Sequence, residues 1–140
     1  MDENVFKKRT KQLALRIIKV VDALPKHRTA DVIGRQLIRS GTSIGANYRA
    51  ACRGKSTADV IAKLRIVEEE ADESAYWMEL LIESGLVPEA RLSELLQETN
   101  EIIAMTVASI RTLQKRNGIP PINRQSKACP ESYRRIENLK

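Results

Sequence analysis

The acidic block Glu68-Glu69-Glu70-Ala71-Asp72-Glu73 is the densest run in this chain that could do chemistry. Glu69 and Glu73 are four apart and share one face of a helix. Carboxylate metal centres in helical proteins need Glu-x-x-His pairs on two helices and further Glu residues. The single histidine, His27, stands two residues after Pro25 in a turn, so the block reads as a solvated or ion-paired face. Ser40 and Ser43 have no base beside them and no Gly-x-Ser-x-Gly elbow. Gly54-Lys55-Ser56 matches only the end of a phosphate loop, without its first glycine or a preceding strand, and a turn between helices explains it. No nucleophile, acid–base pair or metal set emerges. The expectation is a non-enzymatic protein that needs no cofactor.

The cations make a different pattern. Lys8, Lys11, Lys19 and Lys26 lie opposite the apolar stripe of the first helical segment, with Lys7 and Arg16 at its edges. Lys115, Arg116, Arg124, Lys127, Arg134 and Arg135 gather near the other end. The net charge of +6 divides into +5 over residues 1–28, −4 over residues 29–114 and +5 over residues 115–140. Two basic ends on an acidic middle suit phosphate contacts, whose binding is sensitive to salt and largely indifferent to sequence. Few aromatics are interleaved with the cations, so base stacking has little support.

Four helical segments must carry these residues, each periodic and each bounded by a breaker. The first runs from about Val5 to Leu24, with the stripe Phe6, Leu13, Ile17, Val20, Val21 and Leu24, and stops at Pro25. The second runs from Ala30, with Thr29 as its cap, to Arg53 before Gly54. The third starts after Ser56 or Thr57 and closes at Gly85; its stripe is Val60, Leu64, Val67, Ala71, Met78 and Ile82. The fourth opens at Pro88-Glu89 and ends at Gly118, with Leu92, Leu96, Thr99, Ile103, Thr106, Ile110 and Leu113 in four-three alternation. Short loops make consecutive helices antiparallel. The fold expected is all-α, an antiparallel up-down four-helix bundle over residues 1–117, with a basic, Pro-containing flexible tail over 118–140.

Within the second segment, Ser40-Gly41-Thr42-Ser43-Ile44-Gly45-Ala46-Asn47-Tyr48-Arg49 holds residues that helices avoid. Gly costs about 1 kcal/mol against Ala inside a helix. Gly41 and Gly45 on one side therefore call for close approach by a neighbouring helix, with Asn47 in the packed seam. Arg35, Arg39, Arg49 and Arg53 are the natural counter-charges for Glu69, Glu70 and Glu73 on the third helix. Ile66, Trp77 and Leu80, flanked by Tyr76, fall nearly opposite the third helix's core stripe and point to a subunit interface. Cys52 reads as a reduced, buried thiol, and Cys52 and Cys129 lack metal or redox spacing. Met1-Asp2-Glu3-Asn4 is not a secretory start, and no apolar run approaches a membrane span. A cytoplasmic, membrane-independent homo-oligomer is expected.

Ser40 to Arg49, then Arg53-Gly54-Lys55-Ser56, Glu68 to Glu73 and Tyr76-Trp77-Met78-Glu79-Leu80-Leu81 together resemble the bacterial four helix bundle family, also called 23S rRNA intervening-sequence proteins. The likeness is strong over Leu37 to Ser84, and the helix layout extends it over Val5 to Arg116. It implies a small bundle assembled as a homopentameric ring. A related branch, the accessory protein of diversity-generating retroelements, implies nucleic-acid binding through basic surfaces. The expected function is therefore RNA or DNA binding through the basic ends, with a protein-interaction scaffold as the alternative.

Overall fold

A computed structural model describes residues 2–121. Four helices follow one another: α1 (Glu3–Asp22), α2 (Arg28–Ala51), α3 (Thr57–Glu83) and α4 (Glu89–Arg116). No strand occurs among the described residues. Helix starts are fixed by side chains that accept the free amides of the first turn. Asp2 accepts from Asn4 N and Val5 N. Ser56 caps α3 through Asp59 N at 3.1 Å. On α2 the cap is His27 rather than Thr29, because its Nδ1 accepts from Thr29 N at 3.2 Å. Pro88 stands at the cap position of α4 without a side-chain bond. Gly85 and Gly118 take φ values of +79° and +64° at the ends of α3 and α4, a conformation that suits glycine.

Neighbours run antiparallel, and specific contacts show the register. Along α1 and α2, Phe6 meets Tyr48, Thr10 faces Gly45, Ile17 faces Gly41, and Val21 and Leu24 face Gly34. The Ser40 and Ser74 hydroxyls meet at 2.8 Å between α2 and α3. Thr57 Oγ1 lies 3.4 Å from Asn117 Oδ1, joining the start of α3 to the end of α4. These pairings make an all-α, four-helix, up-down arrangement around one core containing Phe6, Leu13, Ile17, Leu37, Ile44, Val67, Met78, Leu81, Leu92 and Ile102.

Several expected positions are corrected. On α4 the buried line is Leu92, Leu95, Thr99, Ile102, Thr106, Ile110 and Gln114, while Leu96, Ile103 and Leu113 are only partly buried. Adjacent pairs, Leu95-Leu96 and Ile102-Ile103, leave the helix rotation ambiguous in a periodicity reading. On α3, Ile61 and Leu81 are buried where Val60 and Ile82 were expected. Trp77 and Leu80 pack in part against the core, whereas Ile66 and Tyr76 stand exposed. Asn47 is half-buried, with its amide donating to Ser43 O at 2.8 Å. Cys52 is partly buried; desolvation raises its thiol pKa.

Candidate nucleic-acid interface

The close approach that the small residues require is made by α1. A Cβ on Gly41 would stand 2.5 Å from Ile17 Cδ1 and 3.0 Å from its Cγ2, and one on Gly45 would stand 3.2 Å from Thr10 Oγ1. Bringing α1 this near α2 places their outward rows side by side. Between them lies a cleft of about 610 Å³. It is lined by Lys7, Lys8, Thr10, Lys11 and Ala14 from α1 and by Thr42, Gly45, Ala46 and Arg49 from α2. Thr10 is buried and Ala14 and Gly45 are half-buried, whereas Thr42 and Ala46 are exposed like Lys8, Lys11 and Arg49. Among the described residues no carboxylate lines it.

The expectation that Arg49 would meet the acidic third helix is therefore wrong: its row faces α1. Arg39 makes that contact instead, pairing with Glu73 and reaching Glu70 at 3.5 Å. The hydrogen bond from Arg39 holds the Glu73 carboxyl below its ordinary pKa, with help from Trp77 Nε1 at 3.2 Å. Arg35 pairs within its own helix with Asp31 at 2.9 Å. Arg53 and Glu69 are exposed and make no salt bridge among the described residues.

A second bridge was not foreseen. Arg9 forks onto Glu98 through Nε and Nη2, both at 2.9 Å, and Nη2 also reaches Glu101 at 2.8 Å. It ties α1 to α4 where few other side chains meet. The signal lay in the i, i+3 spacing of Glu98 and Glu101, but the partner could come only from the tertiary arrangement.

Both bridges run between two electrically opposite layers. From Glu3 to Ala51, α1 and α2 with their loop carry eleven Lys/Arg against three Asp/Glu; from Thr57 to Arg116, α3 and α4 carry six against twelve. Lys7 is held by Glu3 at 2.6 Å, which lowers the Glu3 pKa. Lys8, Lys11 and Arg49 make no ion pair among the described residues. Arg16 and Lys19 are exposed further along α1, outside the cleft. Lys26 lies beside His27 and Arg28 at the opposite end of the α1–α2 pair. Lys115 and Arg116 are exposed in the last turn of α4, where cations favour the helix dipole. Arg124, Lys127, Arg134 and Arg135 lie outside the described residues.

An antiparallel helical bundle with a one-sided basic cleft and no converging group of metal-ligating side chains among its described residues defines a class of small, charge-polarised helical proteins. The sequence pattern of the 23S rRNA-intervening sequence protein family matches residues 2–108, and the chain belongs to that family. A solved structure from Bacteroides thetaiotaomicron, described as a protein of unknown function from the S23 ribosomal protein family, is similar at 36% identity with a TM-score of 0.74. The likeness covers 79% of this chain and 99% of that one. No protein of curated function matches the chain. Among the described residues, no helix is long and apolar enough to cross a membrane.

Proposed function

We propose that this chain is a non-enzymatic nucleic-acid-binding protein that holds the phosphate backbone on its α1–α2 layer. The carrying observation is the cleft lined in part by Lys7, Lys8, Lys11 and Arg49, with no acid in its lining among the described residues. Lys8, Lys11 and Arg49, which make no ion pair among the described residues, repel one another, and polyanion binding relieves that repulsion while releasing condensed counterions. The acidic α3–α4 layer repels the same polymer, which selects one face for approach. Association into a homo-oligomer, with Ile66 and Tyr76 at the contact, would repeat the cleft and multiply its field. Filter binding across salt concentrations tests the reading. Three unpaired cleft cations predict that log K falls with log salt at a slope of about −2 to −3 per bound protomer. Absence of binding at low salt, or a flat salt response, would refute it. A scaffold for another protein would instead yield a stoichiometric partner that survives nuclease treatment.

A further inference from the structure

The cleft is more than a charged rim. Its deepest residues, Thr10, Ala14 and Gly45, are small, and Thr42 and Ala46 stand exposed at its rim. The hydroxyls are committed: Thr42 Oγ1 lies 2.7 Å from Ile38 O and Thr10 Oγ1 lies 3.0 Å from Phe6 O. Neutral donors aimed at a base edge are therefore missing, and the remaining side-chain donors are cationic.

Building on the proposed function, we infer that the α1–α2 recess takes unpaired nucleotides, one base or sugar lowered against Ala14 and Ala46 while the adjoining phosphates meet Lys8, Lys11 and Arg49. A duplex keeps its bases stacked inside and presents a convex rim of phosphates; it can enter a recess only by unpairing. A single strand fills it directly. With no aromatic platform and no free neutral side-chain donor in the lining, the contact discriminates strandedness and not sequence.

The test compares binding of oligo(dT), oligo(U), an abasic strand of equal length and a duplex of equal phosphate count to the full chain. The expected order is oligo(dT) and oligo(U) tightest, with the abasic strand and the duplex about tenfold weaker, equivalent to about 1.4 kcal/mol. Ala46 is exposed on the helix surface, so Ala46→Leu fills the recess without burdening the core. That variant is expected to bring the single strands down to the abasic level while leaving the salt slope unchanged. Equal affinity for abasic and base-bearing strands, or an Ala46→Leu variant that binds oligo(dT) as tightly as the parent, overturns the recess. If those results come with strong, salt-dependent binding, the charged layer stands and only the base-in-recess contact falls. Failure of the parent chain to bind any strand removes both.

Discussion

At the scale of single residues, the glycines of α2 decide how near α1 can come. Gly41 sits where any Cβ meets the branched body of Ile17, not merely its tip, because Cδ1, Cγ2 and Cβ all lie within 3.4 Å of the added atom. Gly45 meets mainly the Thr10 hydroxyl at 3.2 Å and is half open. The two should therefore separate in a stability series. Gly41→Leu is expected to destabilise by about 1–3 kcal/mol through overpacking. Gly45→Ala is expected to fall near neutral, because the tight contact offsets a helix-propensity gain of about 1 kcal/mol. Urea midpoints measure both, and equal effects at the two sites would show that α1 does not set the difference. The run Ser40–Arg49 was legible as a close-packing surface because two glycines on one helix face, Gly41 and Gly45, need compensation. Which helix provides it was not legible, since α2 lies between α1 and α3. The same blindness misplaced Arg49: periodicity gives a residue's face but not the neighbour that face meets. Asn47, half-buried, satisfies its amide on the carbonyl four residues back.

The elements are held in register by paired charges and a buried hydroxyl contact. Ser40 and Ser74, both fully buried, also reach carbonyls of their own helices at 3.2 and 2.8 Å, so neither is left unsatisfied. Arg39 joins α2 to α3, and its effect depends on pH in a definite sense. The Glu73 carboxyl titrates below the ordinary 4.5 in the folded protein. Its contribution to stability is therefore complete above that ordinary value and is lost as pH falls through the lower, folded value. Glu73→Gln should lower the urea midpoint at neutral pH, and the gap from the parent should shrink as pH drops below about 4.5. A gap independent of pH would mean that the ion pair is not what Glu73 supplies. Helix number, order and breakers were readable because Pro25, Gly54, Gly85 and Gly118 punctuate long periodic runs. The rotation of α4 was not readable, because doubled apolar residues fit two stripes one residue apart. On α3, broad apolarity concealed that Trp77 and Leu80 lean on the chain's own core.

For the whole molecule, the decisive property is the division into a basic α1–α2 layer and an acidic α3–α4 layer. Along the chain this division looked like two basic ends on an acidic middle; folding moves the boundary to the turn between α2 and α3. Arg9 and Arg39 cross it to acids of the opposite layer, whereas Lys8, Lys11 and Arg49 remain available on the outward seam. The layered charge gives a binding protein an orientation that net charge alone would not. It also separates charge number from charge position, which is the basis of the most direct test. Lys8→Ala, Lys11→Ala and Arg49→Ala combined remove three cations from the cleft; Arg91→Ala, Arg111→Ala and Lys63→Ala combined remove three from the other layer. With both variants folded by circular dichroism, single-strand affinity is measured across salt concentrations. The cleft variant is expected to lose at least about tenfold in affinity and to have a salt slope shallower by about 2, while the opposite-layer variant binds like the parent. Equal losses from the two variants would contradict the assignment, because binding would then follow total charge and not the α1–α2 cleft.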